Sequence, residues 1–332
     1  MRDVDARRTL LSVARRASAI LVAVAVLAAV LAGCGRGAAR EPAATGPRVV
    51  AKIRTGQDTG VVAAFGSVWT ADHREGTVSR IDVAKNRVTA RIPIGELPYD
   101  VTAGGGAVWA PALVSKRLVR IDPRTNQVTA SVSGSFERVA FGAGAVWAIE
   151  WPNAPDPPDP WRGRYVTRIE PSSARVVMRI ELPGPSESVA VGEGAVWSAT
   201  GRWLVRIDPG TNRIVHKIKL PVAGASITVG EGAVWVALTD GRVARVDPDS
   251  DRITATVRTG TGDEIYLDAG EGAVWAGNVN NIADSTLARI DPETAQVTNT
   301  IPVGDGPQGL AVGYGSVWVT SFEEGRVWQI RP

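Results

Sequence analysis

An all-β fold of repeated four-stranded antiparallel units, closed into a seven-bladed β-propeller, is what this sequence predicts. Three observations carry the prediction. The phrase Gly, one or two small residues, Val-Trp recurs seven times, ending at Trp69, Trp109, Trp147, Trp197, Trp235, Trp275 and Trp318. The spacings between these tryptophans are 40, 38, 50, 38, 40 and 43 residues. Between them run short β-branched segments with apolar–polar alternation, punctuated by glycine and Asp-Pro turns. A period near 40 with strand patterning marks a stacked β-unit, and seven such units can close on themselves. No segment after residue 46 keeps a 3.6-residue apolar period, so no long helix is expected there.

The amino terminus is a different material. Arg2, Arg7, Arg8, Arg15 and Arg16 precede an apolar run from Ala17 to Ala32, which is short for a membrane span. The run ends in Leu31-Ala32-Gly33-Cys34, which resembles the lipobox of bacterial lipoproteins. The resemblance implies a signal peptide over residues 1–33, cleavage before Cys34 and a lipid on its sulfur. The protein is then expected on the extracytoplasmic side of a bacterial cell membrane. Arg7-Arg8 also resembles a twin-arginine export signal, which leaves the export route open. Residues 34–47, rich in Gly, Ala and Pro, read as a tether.

The signal also accounts for the charge. Residues 1–33 hold five arginines and two aspartates, a net +3 that equals the net charge of the whole chain. The remainder is formally neutral, which excludes nucleic acid as the expected partner. Cys34 is the only cysteine, so no intramolecular disulfide is available.

The propeller is expected over residues 48–332. In the fifth copy, Ser226–Val229 is a first strand, Gly230-Glu231-Gly232 a tight turn, and Ala233–Leu238 a second strand. Asp240-Gly241 then signals a hairpin into a third strand, Val243–Val246. Asp247-Pro248-Asp249-Ser250 turns the chain into a fourth strand, Ile253–Val257. The seventh copy stops after its third strand, Val327–Ile330. The leading segment Arg48–Ile53 resembles the missing fourth, compare Arg87–Ile92. Pairing of residues 48–53 with 326–330 is therefore expected, and it would leave no open edge.

Where copies agree, residues serve the frame. The repeated tryptophans are expected to pack between blades. The repeated arginines of Arg-Ile-Asp (Arg80, Arg120, Arg168, Arg206, Arg245, Arg289) are expected to donate hydrogen bonds to turns. Function is sought where copies differ, because loops on a rigid frame carry binding residues. The loop from Glu150 to Arg164 accounts for the 50-residue spacing and holds Trp151 and Trp161 among five prolines. Its aromatics, with Tyr99 and Phe136 at the crossovers between blades, are the candidate ligand-binding residues. Counting back nine to eleven residues from each repeat Trp gives Asp58, Asp100, Glu137, Glu187 and Glu264. Equivalent positions should converge near the channel mouth, where carboxylates could hold Mg²⁺ or Ca²⁺. His73, in Asp72-His73-Arg74-Glu75-Gly76, is the candidate general base and is expected to face Glu323-Glu324. The other histidine, His216, falls in an outermost strand.

The phrases Gly-x-Gly-Ala-Val-Trp-Val-Ala and Arg-Ile-Asp-Pro-x-Thr-Asn-x-Val resemble YVTN-type β-propeller repeats and the streptogramin B (virginiamycin B) lyase superfamily. That resemblance spans residues 48–332 and implies a propeller. In the lyases it also implies magnesium-dependent elimination by loop histidine and glutamate. The later loops here, Asn278 to Thr286 and Ser321 to Gly325, carry no histidine, so no catalytic residue is transferred. The expected function is binding of an envelope protein, peptide or glycan on the variable-loop face. The alternative is a metal-dependent lyase or lactone hydrolase, with Glu137, Glu187 and Glu264 near the cation and His73 moving the proton.

Overall fold

The computed structural model describes residues 46–151, 163–260, 264–279 and 285–332, and every regular element among them is a β-strand. The described strands begin with β1 (Arg48–Arg54). The first repeat is β2 (Asp58–Ala64), β3 (Ser67–Asp72), β4 (Thr77–Asp82) and β5 (Arg87–Pro93). The second is β6 (Thr102–Gly104), β7 (Ala107–Ala112), β8 (Arg117–Asp122) and β9 (Gln127–Ser133). The third is β10 (Ser135–Gly142), β11 (Ala145–Trp151), β12 (Gly163–Glu170) and β13 (Arg175–Ser186). The fourth is β14 (Ala190–Gly192), β15 (Ala195–Thr200), β16 (Trp203–Asp208) and β17 (Arg213–Lys219). The fifth is β18 (Gly224–Gly230), β19 (Ala233–Leu238), β20 (Arg242–Asp247) and β21 (Arg252–Arg258). The sixth is β22 (Glu264–Gly270), β23 (Ala273–Val279), β24 (Thr286–Asp291) and β25 (Gln296–Pro302). The last has β26 (Pro307–Gly313), β27 (Ser316–Ser321) and β28 (Arg326–Arg331).

Each repeat folds as an antiparallel meander, because its turns prescribe it. In Gly230-Glu231-Gly232, Glu231 (φ 53°) and Gly232 (φ 70°) are both left-handed, the backbone of a tight hairpin whose second position only glycine takes freely. At the other hairpin, the strand-end aspartates fold back on their own turn. Asp291 Oδ1 accepts from the N–H groups of Glu293 and Thr294 at 3.0 and 2.8 Å. Second strands such as Ala233–Leu238 are buried throughout, whereas fourth strands such as Arg87–Pro93 alternate with solvent. That gradient is what a sheet with one covered end and one wet edge requires.

Five of the sheets have four strands. One of these is ordered β1-β28-β27-β26, so the leading strand does complete the last sheet. Its register runs from Arg48 opposite Arg331 to Arg54 opposite Arg326. The expectation of separate sheets is corrected at one place. The third and fourth repeats form a single eight-stranded sheet, because β13 runs on to Ser186, which pairs with Thr200 of β15. The Ser186 hydroxyl also donates to Ala199 O at 2.7 Å. The first strands of the repeats pack side by side in order, β2 on β6, β6 on β10, β10 on β14, β14 on β18, β18 on β22 and β22 on β26. β26 in turn packs on β2.

The core lies between successive sheets. Six of the repeat tryptophans are 0% exposed and Trp275 is 1% exposed, so none is available to a ligand. Trp147, with Ala145 and Ile149, packs against Val196, Val205 and Ile207 of the next repeat. Trp69, 109, 147, 197, 235 and 318 each donate Nε1–H to the carbonyl five residues back, as Trp147 does to Gly142 O at 3.1 Å. The repeat arginines lie over these indoles, Arg80 at 5.0 Å from the Trp69 ring centre. Several then reach the next repeat's turn. Arg80 donates to Pro123 O at 2.8 Å, Arg168 to Pro209 O at 2.7 Å and Arg206 to Pro248 O at 2.7 Å. They donate to turns, as expected from their recurrence, and latch neighbouring repeats.

Candidate functional site at the convergence of the first strands

Where the first strands meet lies a cavity of about 310 Å³. The position nine residues before each repeat Trp supplies Gly60, Asp100, Arg138, Ser188, Ser226, Tyr266 and Gly309, and all seven line it. Tyr99, Glu187, Glu264 and Gln308 join them. Successive side chains of a strand point to opposite faces, so these equivalent positions present the same face of each first strand to the cavity.

The carboxylates divide accordingly. Asp100 is held by two backbone groups, accepting from Val101 N–H at 2.8 Å and from Val139 N–H of the neighbouring first strand at 3.0 Å. Burial pushes its carboxyl above the ordinary value, opposed by Arg138 and those two N–H groups. Glu187 and Glu264 line the cavity directly. Glu137 lies behind them, buried, and accepts from Trp151 Nε1–H at 2.8 Å. Burial takes its carboxyl up to about 7, against the pull of Arg138 and Trp151, with Glu187 and Asp100 adding to the rise.

Arg138 is the cation of the mouth. Its guanidinium stands 4.7 Å from the centre of the Tyr99 ring. Burial works against its charge, but the surrounding groups, Asp100 foremost, hold its pKa above the ordinary arginine value. Tyr266 is pushed up to about 12 by burial and Tyr99 is raised for the same reason, so both phenols stay neutral hydrogen-bonding groups. Deeper along the same strand, Asp268 repeats the bridging seen at Asp100. It accepts from Ala269 N–H at 2.9 Å and from Val312 N–H of the next first strand at 2.7 Å. Burial takes its carboxyl to about 6.

Two sequence expectations are corrected at the ends of the first strands. Phe136 is no ligand-facing aromatic. It is 0% exposed, in a cluster with Trp109, Leu118, Val132 and Val146. It sits eleven residues before its Trp, and the bulge between Phe136 and Val139 turns it to the face opposite that of Arg138. Asp58, at the same count, is also turned away from the mouth. It pairs with Asp72 across β2 and β3 and is 0% exposed, with its carboxyl pushed up to about 7 by burial. Glu264 shares that count yet lines the cavity, because β22 lacks the bulge present in β2, β10, β18 and β26. One residue of register sets which face a side chain occupies.

His73 stands beside the mouth. Its ring meets the edges of Tyr99 (6.1 Å) and Phe322 (6.0 Å), so Phe322 is its neighbour in the last repeat's loop in place of the expected Glu323-Glu324 pair. Burial lowers its pKa, with the Pro98 carbonyl and Asp72 opposing. Its Nδ1 has no hydrogen-bond partner within the protein. Trp161 lies outside the described residues, as does Cys34. No group of three or more His, Cys, Asp or Glu side chains converges with metal-binding geometry among the described residues. Tyr266, Arg138 and Gln308 were not singled out from sequence. A count fixed at nine would have found the first two.

Residues 35–150, about a third of the chain, match a family model described as a repeat of unknown function (DUF6923). No curated protein matches the chain.

Proposed function

We propose that this protein is a lipid-anchored, extracytoplasmic seven-bladed β-propeller of the YVTN and streptogramin B lyase-like kind. It captures a peptide segment carrying a basic side chain at the mouth of its axis. Support for seven blades comes from the order in which the first strands pack and from the seven Trp-minus-nine residues that share one cavity. The third and fourth blades touch through the Ser186–Thr200 pair and are otherwise separate meanders.

The observation that carries the binding reading is the charge of that cavity. Asp100, Glu187 and Glu264 line it against the single guanidinium of Arg138, together with Tyr99 and Tyr266. Excess carboxylate in a concave, partly desolvated site favours a cation, and aromatic faces add to its retention. Of the protein, peptide and glycan ligands that the sequence leaves open, a lysine- or arginine-bearing segment suits this wall best. The lyase alternative needs His73 as proton shuttle, but His73 packs on Tyr99 and is not among the residues lining the cavity.

Selection from a displayed random-peptide library tests the reading. Enriched peptides should carry Lys or Arg, and binding should weaken with added salt. The double variant Glu187→Gln/Glu264→Gln should lose about tenfold in affinity, near 1.4 kcal/mol. Equal capture by the double variant would reject the acidic mouth as the site. Enrichment of sugars on a glycan array, with no peptide selected, would replace the peptide with a glycan.

The anchor has its own test. Cys34→Ser should abolish incorporation of a labelled fatty acid and move the protein from the membrane to the soluble fraction. Unchanged membrane association would remove the lipid from this account.

A further inference from the structure

The first repeat contains a polar cluster that the mouth does not use. Asp58 and Asp72 face each other across β2 and β3, and both are 0% exposed. Thr70 (0%) and Thr55 (3%) are buried as well, and both hydroxyls stand close enough to the Asp58 carboxyl to lower its pKa as donors, but neither is aligned for a good hydrogen bond to it. Neither oxygen of Asp58 has a well-aligned hydrogen bond within the protein, and the same is true of Asp72 Oδ2, Thr55 Oγ1 and Thr70 Oγ1. Asp72 Oδ1, by contrast, is occupied by the N–H groups of Arg74 and Glu75, at 3.0 Å each. Oδ2 is left against Gly56, where a Cβ would lie 1.7 Å from it.

Unpartnered buried oxygens are costly, and carboxylates more so. The frame does not require this pair. The equivalent cross-strand positions elsewhere are Phe136–Glu150, Gly224–Leu238 and Pro307–Ser321. Arg91 does not supply the missing partner, since its Nη1 donates to Ser79 Oγ at 3.1 Å and it acts on Asp58 only through its charge.

We propose that this cluster is a Ca²⁺ site, with both oxygens of Asp58, Oδ2 of Asp72 and the hydroxyls of Thr55 and Thr70 as ligands. Two carboxylates balance a divalent charge, and five oxygens approach the six to eight that calcium takes. An adjoining cavity of about 400 Å³, bordered by Thr55, Gly56 and Asp72 and by three arginines (Arg54, Arg74, Arg91) set against three glutamates (Glu75, Glu323, Glu324), gives an entry path and room for water ligands. Mg²⁺ keeps its water shell and demands a strict octahedron, so a buried set with two hydroxyls selects against it. The site is separate from the acidic mouth, and its test does not depend on the peptide reading.

The experiment is equilibrium dialysis and thermal unfolding of the full-length protein after EDTA, with Ca²⁺ or Mg²⁺ added back. Saturable binding of one Ca²⁺ per chain with a raised Tm is expected, with no comparable shift from Mg²⁺. Asp58→Asn should abolish binding, and Glu187→Gln/Glu264→Gln should leave it intact. Thr70→Val, which preserves shape, should weaken binding by at least about tenfold while the protein stays folded. Failure to bind Ca²⁺ at millimolar concentration overturns the proposal, as does full binding by both Asp58→Asn and Thr70→Val. An Asp58→Asn protein that gains stability in the presence of EDTA, with no calcium effect in the wild type, would instead assign a shared proton to the Asp58–Asp72 pair.

Discussion

Trp147→Ala should cost the protein about 3–5 kcal/mol of stability, the range for emptying a fully buried aromatic site. The residue is 0% exposed and is the contact between two repeats, with Val166 on one side and Val196, Val205 and Ile207 on the other. Its loss leaves a void that strands on both sides cannot close, because each is held in its own ladder. The change also strips the surface under Arg168, whose guanidinium lies 5.3 Å from the ring centre. For a domain of this size the midpoint should fall by roughly 10 °C, at about 2–4 °C per kcal/mol. Trp203→Ala is the matched control. That tryptophan is outside the repeat pattern and 40% exposed, so its removal should stay within about 0.5 kcal/mol of wild type. Thermal unfolding of the two variants side by side decides the matter. Equal losses would mean that the repeated tryptophans are not the inter-repeat packing residues.

Deleting residues 46–54 should be more damaging still. This segment is the fourth strand of the last sheet, paired along its length with β28. Ile53, 4% exposed, joins Trp318 and Val327 of the last repeat to Val61, Val68 and Ile81 of the first. Lys52 Nζ lies 3.5 Å from the centre of the Trp328 ring. Removal therefore uncovers an apolar seam and opens a row of backbone donors and acceptors on β28. Such an edge invites pairing with another chain. The expected result is a loss of several kcal/mol together with aggregation, read by thermal unfolding and size-exclusion chromatography. A truncated protein that remains monomeric and melts within a few degrees of the full chain would show that the leading strand closes nothing.

Much of the frame is written in the order of residues. The Val-Trp phrase marks every second strand, the Gly-x-Gly turns force left-handed backbone at two successive positions, and the Arg-Ile-Asp phrase places a latch on each third strand. The likeness of Arg48–Ile53 to Arg87–Ile92 was enough to pair the two ends of the described fold. These features depend on local backbone geometry and on repetition, so they survive without knowledge of neighbours.

The mouth was legible only to within a residue or two, and that margin is where its chemistry lies. A window of nine to eleven residues before each Trp collected Asp100, Glu187 and Glu264, which face the cavity, together with Glu137, which lies just behind it. It also collected Asp58, which faces Asp72 inside the sheet. Side chains alternate faces at every residue, and a single bulge reverses the alternation, so a one-residue difference in β22 returns Glu264 to the cavity. Phe136 went into the core for the same reason. The merging of two repeats into one sheet depended on β13 running on to meet Thr200, a contact between strands that no local pattern encodes. Strand order and turns follow from the chain itself. Which face each side chain takes, and which carboxylates end up wet, paired or buried, follows from register between strands, which exists only once they are assembled.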